Sequence, residues 1–319
     1  MRFPKYLLKR KALLIIAGCV LLVAFYFLSL PPSGFPSNKI VMIESGSSLK
    51  EVGSFLKEKG IIRSSFLFDN FVILLNHEKA VISGEYVFTK PLSVFSIAKR
   101  VSAGDFGFPL KRVTIPEGLN TLQIANLMPA EYFHFSKNEF LKLTTKDEGY
   151  LFPDTYFFPI NITTENIIKT LSENFEKKTG VLKADVLISG RTFKDAITMA
   201  SILEEEALTS EDRKMVAGVL WKRLKLGMRL QVDAPLSYVT DKTTFELTLK
   251  DLKFDSPYNT YLHTGLPPGP ISNPGLDAID AAIHPTTSKY LFYLSGRDGV
   301  MHYAATYAEH LANKKKYLD

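Results

Sequence analysis

A continuous apolar run near the start of the chain restricts what this sequence can fold into more than any other feature. The run covers residues 12–30. Its only interruptions are Gly18, Tyr26 and Ser29. As a helix, a run of this length would be about 28 Å long, close to the thickness of the hydrocarbon core of a bilayer. The run therefore predicts a transmembrane anchor at residues 12–30, behind a basic tail at residues 1–11.

The charges that flank this run predict its orientation. The first thirty residues contain no acid and five basic residues, namely Arg2, Lys5, Lys9, Arg10 and Lys11. Because positive flanks stay in the cytoplasm, the chain beyond about residue 31 is expected outside it. A cleaved signal peptide is the competing interpretation. It would need a shorter apolar stretch that ends in a small-residue cleavage site, whereas this run meets Pro31-Pro32.

Charge and cysteine content exclude several functions. The formal net charge is +6, yet the chain after the basic tail carries 34 basic and 33 acidic residues. A nucleic-acid-binding surface needs a basic excess on the folded domain, so no nucleic-acid partner is expected. The single cysteine, Cys19, lies in the apolar run. No disulfide within the chain and no cysteine nucleophile outside that run are expected, and no metal site is assigned.

Composition divides the rest of the chain into a linker and two domains. Residues 31–38 are rich in Pro, Ser and Gly and predict a linker. Residues 39–104 predict a small α+β domain with a strand at Ile40–Ile43 and a capping box at Ser48–Glu51. This strand, a Gly-x-Ser-Leu turn and a helix resemble the start of a LysM-like glycan-binding module; an uninformative scaffold domain is the alternative. Residues 105–319 predict a larger mixed α/β domain, so the expected fold class is α+β.

A long amphipathic helix in the larger domain carries three consecutive glutamates. Its apolar residues recur at three- and four-residue steps, at Phe193, Ala196, Ile197, Ala200, Leu203 and Ala207. At about 100° per residue, Glu204 falls roughly 40° from the centre of the apolar arc, and Glu205 and Glu206 fall roughly 140° and 120° from it, on the wetter side. Glu204 is therefore expected to face the interior or a cleft wall, where desolvation raises the pKa as a general acid requires. The alternative is a partly exposed glutamate paired with a nearby Arg or Lys.

The segments after this helix supply further candidates. The next predicted helix spans Asp212 to Leu226 and is expected to turn its basic residues toward solvent or partners, namely Arg213, Lys222 and Arg223. Two polar residues, Gln231 and Asp233, interrupt an apolar segment. A stiff loop rich in Pro and Gly follows over residues 256–271 and contains Tyr258 and Asn259; its rigidity can preorganise a cleft. Asn273-Pro274 predicts the start of another helix.

Taken in order, these segments resemble the MltG-type (YceG-like) endolytic murein transglycosylases. The matching stretches lie within residues 113–319, in the same order as in the family. They are Ile115–Gly118, Glu148–Tyr156, Ala200–Glu204, Gly227–Asp233, Ser256–Tyr261, Gly265–Gly275, and His302 with Thr306–His310. Two departures are local: Asp233-Ala234-Pro235 stands where the family usually has Asp-Pro-Thr, and His284-Pro285 where most members have Asn-Pro.

The resemblance implies cleavage of the β-1,4 bond between N-acetylmuramic acid and N-acetylglucosamine inside glycan strands. It implies 1,6-anhydro ends and a role in terminating or trimming nascent strands, with no cofactor. The catalytic glutamate of the family falls on Glu204, the residue that the helical wheel selects independently. Gln231, Asp233, Tyr258 and Asn259 are candidates for holding the sugars, with loop-stabilising hydrogen bonds as the alternative role of each.

The resemblance also implies partners and a location. The expected partners are peptidoglycan strands and the inner membrane, with peptidoglycan synthases as further candidates. The expected location is the bacterial inner membrane, with a single pass and the bulk of the chain in the periplasm. The alternative function is a non-catalytic, membrane-anchored peptidoglycan-binding or division scaffold.

Overall fold

The computed structural model describes residues 5–75 and 81–318. The chain divides into two compact units, Met1–Pro109 and Leu110–Asp319. Both units combine helices with two-stranded antiparallel sheets, which confirms the predicted mixture of α and β structure.

The first unit alternates strands and helices after an initial helix. Its elements are α1 (Lys5–Ser29), β1 (Ile40–Ile43), α2 (Leu49–Glu58), α3 (Ser65–Leu74), β2 (Gly84–Val87) and α4 (Val94–Ala103). Strands β1 and β2 pair antiparallel, with Ile40 opposite Val87. Helix α2 begins with the predicted capping box, in which the Glu51 N–H and the Ser48 N–H each bond to the other residue's side chain. The core of the unit is apolar and includes Val41, Ile43, Leu56, Phe68, Val72, Tyr86, Phe88 and Ile97.

Two predictions for this unit are not confirmed. Helix α1 covers most of the predicted anchor at residues 12–30. Within the part of the chain that the structure describes, however, no helix combines the length and the apolar character needed to cross a membrane. The LysM-like character of residues 39–104 also remains a hypothesis.

The second unit is mainly helical and carries two antiparallel strand pairs, β3 with β4 and β5 with β6. Its strands are β3 (Leu110–Thr114), β4 (Thr155–Pro159), β5 (Phe292–Ser295) and β6 (Met301–Ala304). Its helices are α5 (Thr121–Leu127), α6 (Lys137–Leu143), α7 (Thr164–Thr179), α8 (Lys183–Ile188), α9 (Phe193–Glu206), α10 (Ser210–Lys225), α11 (Ala234–Thr240), α12 (Leu276–Ile283) and α13 (Tyr307–Tyr317).

Helix α9 lies at the centre of the larger of two cores in this unit. Every residue from Ala196 to Leu203 on α9 is buried, and α9 packs against α10 and α12. A second core joins strands β3 and β4 to helices α5, α6 and α7. Burial of about two helical turns on all sides holds the end of α9 rigidly, which is a suitable support for a catalytic side chain.

Two sequence predictions are wrong in detail. Helix α12 begins two residues later than predicted, with Gly275 as its N-cap, because the Asn273 side chain is engaged by the backbone of Leu119 and Leu151 instead. The sequence predicts that Arg223 faces solvent or partners, yet it is only 6% exposed. Its guanidinium donates to the carbonyl oxygens of Leu230 and Leu291, so it links the segment after α10 to the segment before β5.

Candidate active site

The Glu204 carboxyl is nearly enclosed at the end of α9. Its side chain is 6% exposed, as the helical wheel predicts for the first glutamate of the triplet. The Oε1 atom accepts a hydrogen bond from Arg213 Nη2 at 2.6 Å, and Oε2 accepts one from the Gly275 N–H at 2.8 Å. The carboxyl is therefore hydrogen-bonded to α10 through one oxygen and to the N-cap residue of α12 through the other.

Opposing influences act on the protonation of Glu204. Burial raises the pKa of this carboxyl most strongly. The Gly275 N–H and the Arg213 guanidinium lower the pKa, whereas the negative charges of Glu117 and Asp277 raise it. The net shift is upward, because the loss of hydration outweighs the two donors. A raised pKa is what a carboxyl needs to deliver a proton near neutral pH.

The other two glutamates of the triplet occupy different environments. Glu205 is exposed, as predicted. The prediction for Glu206 is wrong: this residue is half-buried, and its carboxylate accepts a hydrogen bond from the Tyr293 hydroxyl at 2.8 Å. Strand β5, which carries Tyr293, covers the side of α9 that a helical wheel alone leaves open to water.

An open cleft of about 400 Å³ is lined by Glu205, the residue that follows Glu204, and by Gly118, which lies next to Glu204. Its lining includes Glu205, Tyr238 and Gly118, and the position of a Cβ on Gly118 would be 3.6 Å from Glu204 Cγ and 2.9 Å from Glu205 Oε1. Gly118 has a φ of +83°, which favours glycine, so the lining next to Glu204 is backbone without a side chain. The other lining residues are mostly polar; they are Asn120, Gln123, Ser237, Asp241, Lys242, Thr243 and Thr244, together with the apolar Ala234 and Ile271.

A second pocket, of about 370 Å³, brings together two of the predicted sugar-binding residues. Gln231 and Asp233 line it together with Glu206. Gln231 is exposed and has a φ of +51°, a conformation that a non-glycine residue adopts at some energetic cost. Asp233 accepts a hydrogen bond from the Tyr261 hydroxyl at 2.6 Å. This pocket offers carboxylate, amide and phenol groups to a polar ligand.

The remaining two predicted residues lie apart from that pocket. Tyr258 is half-buried and packs against Tyr238 of the open cleft, with ring centroids 5.4 Å apart. Asn259 is fully buried. Its Nδ2 donates to the carbonyl oxygens of Leu252 and Phe254, and its Oδ1 accepts from the Tyr261 N–H. The geometry of Asn259 therefore favours the loop-stabilising role that the sequence left open.

A buried hydrogen-bond network around Glu148 was missed by sequence reasoning. The Glu148 carboxylate accepts from the Thr121 N–H, from Asn273 Nδ2 at 3.1 Å and from the Tyr238 hydroxyl at 3.3 Å. Burial raises the pKa of Glu148, and these donors act against that rise. The network joins the cleft residue Tyr238 to the segment that presents Gly275 to Glu204. The available signal was the Glu148–Tyr156 stretch, which the family resemblance includes.

Arg213 is not at the surface of α10. The sequence predicts that it faces solvent or partners, but its side chain is only 12% exposed and bridges Glu204 and Asp277. The period of α10 does not distinguish Arg213 from the other basic residues. Its ion pair with Glu204, nine residues earlier, matches the Arg or Lys pairing that the sequence leaves open as the alternative for that glutamate, whereas Asp277 is 64 residues away. Among the residues the structure describes, no group of three or more His, Cys, Asp or Glu side chains is placed to hold a metal ion.

The half-buried Glu206 predicts a specific dependence of stability on pH. Burial raises the pKa of Glu206 from 4.5 to about 7. The folded state therefore holds this proton more tightly than the unfolded state, and stability is expected to fall as pH rises from 4.5 to 7, by up to about 3 kcal/mol from this group. Glu206→Gln should remove that part of the slope in urea unfolding. Equal slopes in wild type and variant would contradict the prediction.

Comparisons with known proteins identify the family of the chain. A family model described as the YceG-like family matches residues 41–316. The chain is 32% identical over 305 residues to a Bacillus subtilis protein named endolytic murein transglycosylase, covering 87% of this chain and 84% of that protein. It is 29% identical to a Streptococcus pneumoniae protein of the same name, covering 91% of this chain and 61% of that protein. The 2.6 Å crystal structure of a yceG-like protein from Listeria monocytogenes matches with a TM-score of 0.60 and 30% identity, over 86% of this chain and 99% of that one.

Proposed function

We propose that this chain, which belongs to the YceG-like family, is an endolytic murein transglycosylase and that Glu204 is its catalytic acid and base. The observation that carries this assignment is the position of the carboxyl. Glu204 is 6% exposed, has a raised pKa, and lies next to Gly118 in the lining of an open cleft. A buried, protonatable carboxyl beside a groove is what proton transfer to a bound glycan requires.

The proposed reaction needs one carboxyl and no water. Neutral Glu204 gives its proton to the glycosidic oxygen, and the bond from that oxygen to C1 of N-acetylmuramic acid breaks. The 6-hydroxyl of the same sugar then bonds to C1, and its proton passes to the Glu204 carboxylate. The products are a 1,6-anhydro end and a free 4-hydroxyl on N-acetylglucosamine. An internal hydroxyl replaces the second carboxylate of ordinary glycosidases, and its effective molarity is high.

We assign the polar groups around α9 to substrate binding. Gln231 and Asp233 offer hydrogen bonds in the second pocket, and the Tyr238–Tyr258 pair offers ring surface at the open cleft. Dense polar groups beside aromatic rings suit the hydroxyls, acetamido groups and apolar faces of sugars. On this proposal, residues 105–319 form the catalytic domain.

Mass spectrometry of a digest tests the proposed reaction against the alternative. The purified full chain is incubated with uncrosslinked glycan strands in water labelled with heavy oxygen. The transglycosylase should give shorter strands whose new ends are lighter by one water than hydrolysed ends and carry no label. Intact strands would support the non-catalytic scaffold instead, and labelled ends would point to hydrolysis.

The location and the small domain belong to the same proposal. We propose that residues 12–30 hold the enzyme at the inner membrane, with residues 1–11 in the cytoplasm and the rest outside, where peptidoglycan synthases are candidate partners. The support is the apolar run and its basic flank. For residues 39–104, a LysM-like role is supported by the order of β1, a Gly-x-Ser-Leu turn and α2.

Cell fractionation checks the proposed location. The full chain is expected in the membrane fraction and resistant to alkaline extraction, and a C-terminal tag should be degraded by protease added to spheroplasts. A variant without residues 2–31, exported through an unrelated cleaved signal peptide, serves as the control and should become extractable. Recovery of the full chain in the soluble fraction would disprove the anchor.

A further inference from the structure

Arg213 is shared between two carboxylates that come from different helices. Its Nη2 lies 2.6 Å from Glu204 Oε1 on α9, and its Nη1 lies 2.7 Å from Asp277 Oδ2 on α12. The Arg213 side chain is 12% exposed and that of Glu204 is 6% exposed, so the ion pair with Glu204 is largely shielded from water, whereas the pair with Asp277 is partly hydrated. Its planar fork can bond two acceptors at once and fix their relative positions.

This arrangement creates a difficulty for a general acid. In the free enzyme both oxygens of Glu204 face donors, the Arg213 guanidinium and the Gly275 N–H, and neither donor can accept a proton. The N-terminus of α12 also favours a negative charge at this point. Against these stand the negative charges of Glu117 and Asp277, and Glu205 is the next residue on α9. The ion pair between Arg213 and Glu204 must therefore be weakened before Glu204 can carry a proton.

Asp277 is placed to weaken that hold. Its side chain is 37% exposed, compared with 6% for Glu204, so water stabilises its charge far better. Partial burial acts to raise the pKa of Asp277, but hydrogen bonds from Ser210 and Arg213 outweigh it and lower the pKa. When one guanidinium serves two carboxylates and a single proton is available, the less hydrated carboxylate takes the proton.

We propose that Arg213 and Asp277 are a positioning pair for Glu204: Asp277 retains the guanidinium as its counter-ion, so that Glu204 can be protonated for the first step and be stabilised as a carboxylate for the second. This inference rests on the proposed function of Glu204. Neither residue lines the open cleft or the second pocket, so both act through the catalytic carboxyl. The predicted consequence is a signed change in the pH dependence of turnover.

Asp277→Asn tests the pair, with Asp280→Asn as the matched control. Asp280 lies one turn further along α12 and pairs with Lys214, the neighbour of Arg213 on α10, at 2.8 Å. Both variants remove one ion pair between the same two helices, but only the first involves Arg213. Turnover requires neutral Glu204, so it falls as pH rises through the pKa of that carboxyl. Asp277→Asn should move this alkaline limb of kcat down by about one pH unit, and Asp280→Asn should leave it in place.

Two further variants separate this role from a loss of structure: one should shift the alkaline limb of kcat in the opposite direction, and the other should restore it. Arg213→Gln removes the charge that favours ionised Glu204, so its alkaline limb should move up by about one pH unit or more, at reduced kcat. Asp277→Glu keeps the charge and should restore the wild-type limb; thermal unfolding of each variant verifies folding. Coinciding limbs for Asp277→Asn and Asp280→Asn, or shifts of the same sign for Asp277→Asn and Arg213→Gln, would overturn the positioning pair. If Glu204→Gln retains turnover, the proposed function itself fails instead.

Discussion

Glu204→Gln is expected to lower the rate of anhydro-end formation by about 10²–10⁴-fold, the range that general acid–base catalysis contributes. The amide has nearly the same size and shape as the carboxyl, but it can neither give a proton to the glycosidic oxygen nor take one from the 6-hydroxyl. Both proton transfers of the proposed reaction depend on this side chain, so the rate is expected to fall even though Glu205 also lines the open cleft. The measurement is the release of anhydro ends from uncrosslinked strands, followed by mass spectrometry.

The matched control for this substitution is Glu211→Gln, which makes the same chemical change at an exposed position on α10. Its turnover is expected to stay near that of the wild type. The amide at position 204 can accept from Arg213 or from Gly275 but not from both, so a stability loss of about 1–3 kcal/mol is expected and is measured by thermal unfolding. A folded Glu204→Gln protein with wild-type turnover would rule out the assigned role.

Asn273→Ala is expected to cost about 3 kcal/mol of folding free energy and to reduce turnover as well. Asn273 is fully buried, and its side chain accepts from the Leu151 N–H and donates to Leu119 O and the Glu148 carboxylate. Truncation leaves the buried Leu151 N–H unpaired, and it removes one hydrogen-bond donor from the half-buried Glu148 carboxylate. It also frees the segment that presents the Gly275 N–H to Glu204. Urea and thermal unfolding measure the first effect, and the strand-cleavage assay measures the second.

Asn166→Ala is the appropriate comparison for Asn273→Ala. Asn166 is exposed near the start of α7 in the same unit, so its truncation is expected to change stability by less than about 0.5 kcal/mol. If Asn273→Ala were as mild as this control, the buried network would not organise the site. Loss of stability with unchanged turnover would limit Asn273 to a purely structural role.

The local pattern of the sequence was sufficient for much of the secondary structure. The capping box at Ser48 and Glu51, the apolar period of α9 and the strand at Ile40–Ile43 are all present as predicted. Each depends on residues within one or two turns, so short-range periodicity and capping chemistry are enough to find them. The start of α12 was misplaced because the competing partners of Asn273 lie more than a hundred residues away in the chain.

For the site, the sequence by itself determined which glutamate is the candidate, because helical geometry places Glu204 on the apolar side of α9 and the family resemblance selects the same residue. Only the tertiary structure decided what surrounds that carboxyl. Arg213 and Gly275 donate hydrogen bonds to its two oxygens. The tertiary structure also pairs Glu206 with Tyr293, buries Asn259 within its loop, and places the backbone of Gly118, without a side chain, in the cleft lining. Several of these outcomes depend on packing between segments far apart in the sequence, although Arg213 lies nine residues after Glu204 and the partners of Asn259 lie in its own loop. The protonation of a carboxyl follows from such packing because hydration and neighbouring charges set its pKa.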